Sequence, residues 1–102
     1  MQRLEPFLLP DEAPERVLRI GLAGELAITK TRVLLTRSEG KKNGVLSVPL
    51  RNITAVEVSD EKMSFLSAYV RFRVGGDWIE IEIGRDYKTC MEVYALLVER
   101  MG

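Results

Sequence analysis

The sequence predicts a mainly β domain of about seven short antiparallel strands, followed by one C-terminal α-helix. Apolar and polar residues alternate in several runs between Arg16 and Gly84, which is the period of half-buried strands. Turn residues, mainly glycine and asparagine, separate several of these runs. From Tyr87 onward the period changes to that of a helix lying on an apolar core. A small β-sandwich or barrel, closed at one end by the helix, accommodates these elements.

Composition excludes several classes of protein. The chain has 102 residues, of which 46% are hydrophobic and 29% charged, and this fits one globular domain. No apolar run approaches the roughly 20 residues that span a bilayer, and no secretory signal is visible. The single cysteine, Cys90, allows no internal disulfide, which agrees with a cytoplasmic location.

Catalytic and metal-binding signatures are absent from the sequence. It contains no histidine, so the commonest general base and a Cys/His zinc site are both excluded. It also lacks the glycine-rich nucleotide motifs and the nucleophile elbow of hydrolases. We therefore expect no enzyme activity, no cofactor, no metal and no small-molecule substrate. The net charge of zero gives no expectation of nucleic acid.

Residues 1–14 are predicted to form an extended, proline-rich lead-in, and residues 15–102 a single domain. Pro6, Pro10 and Pro14 fix φ and bias the residue before each of them away from helix. Between the first two prolines lies an apolar group, formed by Phe7, Leu8 and Leu9. This group packs either on the edge of its own domain or on a partner.

The first predicted hairpin lies within "GELAITKTRVLLTR". A four-residue loop from Thr29 to Arg32 pairs Ile28 with Val33, and it aligns the apolar rows of the two strands. A two-residue primed turn would instead place Thr31 at positive φ, which is poor for a β-branched residue. The following "SEGKKNG" is predicted to be a turn, and the next strand, "VLSVPL", is predicted to end near Pro49, which has no N–H to donate.

The second predicted hairpin, "AYVRFRVGGDWIEIEIG", turns at Gly75-Gly76 after the strand "ITAVEVS" and an irregular connection, "DEKMSFLS". One register pairs Phe72 with Ile79 on the apolar face and complementary residues on the polar face. The polar pairs are Arg71 with Glu80, Arg73 with Trp78, and Tyr69 with Glu82. In this register we expect the Arg73 guanidinium to lie over the Trp78 ring.

The final helix is predicted to be capped by Asp86. Its apolar stripe is predicted from the i, i+3, i+4 spacing and contains Tyr87, Cys90, Met91, Tyr94, Leu97, Val98 and Met101. Cys90 is interpreted as a small core residue rather than a redox site.

The chain from residue 15 to residue 101 resembles the bacterial pleckstrin-homology (PH-like) domains. The resemblance lies in "LAITKTRVLLT", in the strand pair "SVPLRNITAVEV", in the hairpin "GGDWIEIEI" and in the final helix. It implies the PH-like fold, and it does not explain residues 1–14. Members of this family are associated with membrane lipids in some cases and with protein partners or self-assembly in others, so the resemblance leaves the ligand open.

Basic residues between Leu22 and Asn52 raise the question of an anion or lipid site. The candidate contacts are Lys30, Arg32, Lys41 and Lys42. In the predicted hairpins the first two lie at the opposite end from the last two, about 20 Å away. Lipid-binding PH domains carry basic residues in the first strand–loop–strand unit, where this chain offers only Arg16 and Arg19. Solvated loops are therefore the favoured interpretation of these charges.

The leading hypothesis from the sequence is a non-enzymatic interaction module that binds a protein partner or self-associates into an oligomer. The candidate partner contacts are Phe7, Leu8 and Leu9 in the lead-in, and Phe65 and Leu66 in the connection, because apolar residues in loops often mark interfaces. The alternative is a peripheral module at the inner membrane face that recognises anionic lipid head groups.

Overall fold

A computed structural model of the protein describes residues 3–20, 24–39, 42–59, 68–84 and 87–101. Within these residues seven strands precede one helix: β1 (Arg16–Ile20), β2 (Gly24–Ile28), β3 (Arg32–Glu39), β4 (Lys42–Pro49), β5 (Ile53–Val58), β6 (Ala68–Val74), β7 (Asp77–Gly84) and α1 (Tyr87–Met101). Short 3₁₀ helices occupy Glu5–Phe7 and Leu50–Asn52. The predicted fold class, mainly β with one C-terminal helix, is confirmed.

The described strands form two separate antiparallel sheets, with the orders β1-β2-β3-β4 and β5-β6-β7. This pairing shows no closed barrel in the part of the chain that the structure describes. The chain divides into two compact units, Met1–Pro49 and Leu50–Gly102, and each unit contains one sheet. The predicted single domain from residue 15 to residue 102 stays a prediction.

The β2–β3 hairpin has the predicted register, with Ile28 opposite Val33 and Leu26 opposite Leu35. Its turn needs no glycine because Thr29 organises it. The Thr29 hydroxyl oxygen accepts the backbone N–H groups of Thr31 at 3.2 Å and Arg32 at 3.1 Å. A side chain that bonds to the backbone in this way imitates part of a backbone turn. In the described residues every non-glycine has negative φ.

The predicted turn at "SEGKKNG" is shorter than the sequence indicates. Strand β3 continues to Glu39 and β4 begins at Lys42, so that Arg37 lies opposite Gly44 and Ser38 opposite Asn43. Asn and Gly are disfavoured in strands, but strand propensities span only about 1 kcal/mol and depend on context, so the long hairpin ladder overrides them. The expectation that the strand ends near Pro49 is confirmed.

The β6–β7 hairpin has every predicted pair on both faces, including Phe72 with Ile79 and Arg71 with Glu80. Its turn places Gly75 at a φ of 62°, a conformation that favours glycine. The register predicted from the sequence is therefore confirmed from Tyr69 to Val74, and it shifts by one residue between Tyr69 and Ala68, which pairs with Gly84.

Helix α1 lies against the second sheet and buries Cys90, Val93 and Leu97. The predicted stripe was wrong in part, because Met91 and Val98 are 37% and 45% exposed. The buried positions follow the i, i+3, i+7 spacing of a narrow stripe that passes through Val93. The predicted cap, Asp86, lies outside the described residues.

Candidate interaction surface

The centre of the first sheet is apolar on both faces. Ile28 and Val33 belong to the predicted buried row on one face, while Ala27 and Leu34 lie opposite each other on the second face. All four residues are almost completely inaccessible to solvent. A sheet face that carries buried leucine requires a covering element, because exposed apolar surface is unfavourable in water.

The N-terminal segment provides that cover. We call residues 3–15 the strap. Leu4 is fully buried in one apolar cluster with Ala27 and Leu34, and Leu8, Val17 and Val45 pack around it. The segment that the sequence presented as a lead-in is thus part of the hydrophobic core of the first unit.

The strap is folded rather than extended. Glu5–Phe7 forms a 3₁₀ helix with Pro6 in its first turn. The N–H of Glu12 then donates to the carbonyl of Leu9 at 3.0 Å, which closes a turn around Pro10. Proline φ suits both the first turn of a helix and the second position of a β-turn, so the prolines are compatible with these turns and do not impose an extended path.

Glu25 of β2 holds the beginning of the strap. Its Oε1 atom accepts the backbone N–H groups of Arg3 at 2.7 Å and Leu4 at 3.1 Å. Hydrogen bonds to a carboxylate are roughly twice as strong as neutral ones. The carboxylate therefore fixes the backbone next to the buried Leu4 side chain.

Arg32 of β3 holds the far end of the strap. Its Nε donates to Glu12 Oε2 at 2.9 Å and its Nη2 to Glu12 Oε1 at 2.5 Å, so the two planar groups face each other as a fork. Nη2 also donates to the carbonyl of Phe7 at 2.6 Å, and Nη1 to the hydroxyl of Ser47 at 3.0 Å. All three guanidinium nitrogens thus donate hydrogen bonds to residues of the first unit.

The electrostatics of this pair are those of a stable charged contact. Hydrogen bonds from Arg32 lower the pKa of Glu12 to about 2 against the opposing effect of burial, with smaller contributions from the Leu9 N–H and the Thr29 hydroxyl. The hydrogen bond to Glu12 also raises the pKa of Arg32. Both groups are therefore charged at neutral pH.

The four predicted anion contacts do not form one site. Arg32 is occupied by Glu12, whereas Lys30 is exposed in the turn before it. Lys41 and the side chain of Lys42 lie outside the described residues, but the backbone of Lys42 pairs with Glu39 at the far end of the β3–β4 ladder from Arg32. Of the four, Lys30 is the one that the structure describes as an exposed cation.

The predicted apolar contacts have different environments. Leu8 packs against the cluster around Leu4, while Phe7 and Leu9 are 51% and 60% exposed. Phe65 and Leu66 lie outside the described residues. Phe7 and Leu9 thus present apolar side chains from a backbone that Arg32 and the turn at Pro10 hold in place.

An open pocket of about 520 Å³ lies beside Leu9. Residues 9–13 of the strap and 29–31 of the β2–β3 turn line it, and most of its surface is apolar. Lys30 and Asp11 are the exposed charged residues of the lining. The pocket is large enough to receive an apolar side chain next to a polar group.

The second sheet carries a polar cluster on its face opposite Phe72. Nη2 of Arg71 donates to both carboxylate oxygens of Glu57 at 2.9 Å, and its guanidinium carbon lies 4.5 Å from the centre of the Trp78 ring. The expected cation–π partner was therefore wrong, since Arg71 and not Arg73 lies over the ring. Arg71 is the diagonal neighbour of Trp78, and a large ring reaches that far across a ladder.

The sequence interpretation missed the residues that organise the strap, namely Leu4, Glu12 and Glu25. One signal for them exists: Leu34 interrupts the polar face of β3, so that face requires an apolar cover. No local pattern connects Glu12 to Arg32, which lies 20 residues further on.

The described residues meet the requirements of neither a membrane-spanning helix nor a metal site. Among them, no helix is long and apolar enough to cross a membrane. No group of Cys, Asp or Glu side chains in the same part of the chain is arranged to hold a metal ion.

The two antiparallel sheets and the C-terminal helix give the chain the fold of bacterial PH-like domains. It is similar to the crystal structure of a DUF1696-family protein with a pleckstrin-homology domain from Shewanella loihica, with a TM-score of 0.76 and 21% identity over 99% of this chain and 89% of that one. It is also similar to a pleckstrin homology domain from Shewanella amazonensis, with a TM-score of 0.75 and 17% identity over 97% of this chain and 82% of that one.

These similarities establish the fold. The first match covers more of the chain than the resemblance seen in the sequence, which began at residue 15. No family model matches the sequence, and no curated protein matches it either.

Proposed function

We propose that this chain is a non-enzymatic PH-like interaction module that binds a protein, either a partner or a second copy, through the surface around Phe7 and Leu9. The observation that carries the proposal is the exposure of these two side chains, 51% and 60%, on a backbone fixed by Arg32 and by the turn at Pro10. Anchors on a fixed backbone lose little conformational entropy on binding. The open, largely apolar pocket next to Leu9 adds a complementary socket.

We place this module in the cytoplasm. The supporting observation is the cysteine content: Cys90 is the single cysteine of the sequence, so the fold does not depend on an internal disulfide.

A comparison of protein recovery tests the proposal. The tagged full chain is expressed in the cells that naturally contain it, and the bound proteins are quantified for the wild type, for Phe7→Ser/Leu9→Ser and for Met91→Ser/Val98→Ser. The last variant is a matched control, because Met91 and Val98 are also exposed apolar residues, but on α1. We expect the affinity for at least one recovered protein to fall by at least about 30-fold with the first variant, since two interface anchors at about 1–2 kcal/mol each contribute about 2 kcal/mol or more together.

Two outcomes would contradict the proposal. In the first, no recovered protein depends on Phe7 and Leu9, and sedimentation of the wild type shows no self-association that they control. In the second, the control variant loses the same proteins to the same extent.

Recognition of anionic lipid is the second candidate function. The exposed Lys30 next to Leu9 favours it, since a cation beside an apolar anchor suits an anionic interface. The supply of basic residues at this end is small, because Arg32 is paired with Glu12. Flotation with vesicles of anionic or neutral lipid tests it: this function requires anion-dependent binding that Lys30→Glu and high salt weaken.

A further inference from the structure

The strap behaves as a binding element that is joined to its site by a short connection. On the sheet it contacts Glu25, Ala27, Arg32 and Leu34, which we call the seat. Its contacts with the seat come from residues 3–12, and Ala13 and Pro14 connect these residues to Glu15, whose N–H donates to the carbonyl of Ile28 at 2.7 Å next to β1. Strap and seat therefore interact as a ligand and a receptor that share one chain.

The seat recognises a specific pattern. The Ala27–Leu34 surface accepts a leucine, and Glu25 accepts the two backbone N–H groups at that leucine. Arg32 donates hydrogen bonds to a carboxylate eight residues further along and to a backbone carbonyl between them. A segment that binds the seat must provide a buried leucine, the backbone hydrogen bonds and the carboxylate of the forked ion pair together. Few unrelated segments would provide all three.

An empty seat would be unfavourable. It would expose the apolar Ala27–Leu34 surface to water and leave the Arg32 guanidinium without Glu12. When a strap leaves its own seat, a segment with the same sequence is the best replacement. A second copy of the chain carries that segment.

We propose that the seat accepts the strap of a second copy, so that two copies exchange these segments in a symmetric dimer. Exchange preserves every contact between strap and seat, and it changes only the path of Ala13 and Pro14. Within one chain a short connection gives an effective concentration of about 1 mM, so the closed form dominates in dilute solution and the exchanged form at high local concentration. This interface is distinct from the exposed side chains of Phe7 and Leu9, so either proposal can fail without the other.

Two charge-reversed variants of the full chain test the exchange. Glu12→Arg places a cation on the strap opposite Arg32, and Arg32→Glu places an anion in the seat opposite Glu12, so each variant alone has a mismatched pair. In a 1:1 mixture, exchange matches both pairs, because each strap meets the complementary seat of the other copy. We expect native mass spectrometry and sedimentation to show a heterodimer about 100-fold tighter than either homodimer, from two restored charged contacts.

The double variant Glu12→Arg/Arg32→Glu is the matched control, since it restores the pair within one chain and should remain a monomer under the same conditions. Lys30→Glu reverses an exposed charge in the same turn and should form no heterodimer with Glu12→Arg.

A cysteine trap that keeps the wild-type charges provides a second measurement. The variant Leu4→Cys/Ala27→Cys is equilibrated at increasing protein concentration, oxidised and separated without reductant, and the buried Cys90 of the wild type serves as the background. Exchange predicts a disulfide-linked dimer whose fraction rises with concentration. The proposal is overturned if the mixture forms no heterodimer, or if the trap gives no concentration-dependent dimer.

Discussion

Each sheet has a second face, opposite its predicted apolar row, and these two faces differ in the structure. On the first sheet this face is apolar around Ala27 and Leu34, and the strap covers it with Leu4. On the second sheet the face opposite Phe72 carries Arg71 and Trp78, and it is partly exposed to water. The first face is stabilised by a distant segment of chain, whereas the second is stabilised by neighbours across the ladder.

The difference between the two faces reflects the distance in sequence between the residues that stabilise each of them. Cross-strand pairs on the second sheet follow from the register of one hairpin, which is local in sequence. Cover on the first sheet depends on contacts between residues about 20 positions apart, such as Arg3 with Glu25. A surface built from the strap is therefore an addition to the sheet scaffold, and it is the part that can present Phe7 and Leu9 to a partner.

The largest expected effect is that of Leu4→Ala. Removing a fully buried leucine typically lowers the free energy of unfolding by about 2–5 kcal/mol. Urea denaturation measures this loss, and Leu9→Ala in the same segment is the control, with a change within about 0.5 kcal/mol because Leu9 is exposed. If both variants lowered the free energy of unfolding by the same small amount, Leu4 would not be part of the core, and the contrast between the two sheets would be wrong.

A smaller, pH-dependent effect is expected at Glu12. Its pKa is lowered from 4.5 to about 2 in the folded protein, so the carboxylate contributes its stability in full above pH 4.5 and loses it as the pH falls toward about 2. Glu12→Gln should lower the free energy of unfolding by about 2 kcal/mol at pH 7, and should remove this part of the acid dependence. Thermal melts from pH 7 to pH 2 measure both.

Asp11→Asn is the control for Glu12, because Asp11 is the adjacent, exposed acid. It should leave the free energy of unfolding at pH 7 close to that of the wild type. If Glu12→Gln and the wild type lose stability in parallel between pH 4.5 and pH 2, the Glu12–Arg32 contact does not hold the strap.

The smallest effect is expected on the second sheet, at Trp78→Leu. Trp78 is 41% exposed and its ring lies against the Arg71 guanidinium, which can keep its hydrogen bonds to Glu57 in the variant. Thermal melting should show a smaller loss than Glu12→Gln does at pH 7. A loss as large as that of Leu4→Ala would mean that both sheets depend on cover over their second faces.

The sequence predicted the hairpins where neighbouring residues determine them. In β6–β7 the apolar and the charged pairs agree on one register, and β2–β3 is similarly constrained by its apolar rows and its Thr29 turn. The prediction failed where the turn preference of individual residues was overridden by the pairing of whole strands. Asn43 and Gly44 lie in a strand because the β3–β4 ladder extends through them. In α1, the spacing alone did not distinguish the buried Val93 from the exposed Met91 and Val98.

The candidate site was only partly accessible from the sequence. Phe7 and Leu9 were identified as candidate contacts from their apolar character in a loop, and their role stays a prediction. The Glu12–Arg32 pair could not be predicted, because nothing local to either residue specifies a partner 20 positions away. The sequence therefore offered Arg32 only as a candidate anion contact or a solvated charge, whereas in the structure its guanidinium donates to Glu12 and Phe7 of the strap and to Ser47 of β4.

Amide hydrogen exchange tests most directly whether the strap is a fixed part of the first unit. The N–H groups of Leu4, Phe7, Leu8 and Glu12 all have hydrogen-bond acceptors in the structure. We expect each of these four amides to exchange at least about 100-fold more slowly than in an unstructured peptide, and Leu4→Ala to abolish this protection while that of β6 and β7 remains. Exchange of all four amides at peptide rates in the wild type would contradict the fixed strap, and with it the surface that presents Phe7 and Leu9.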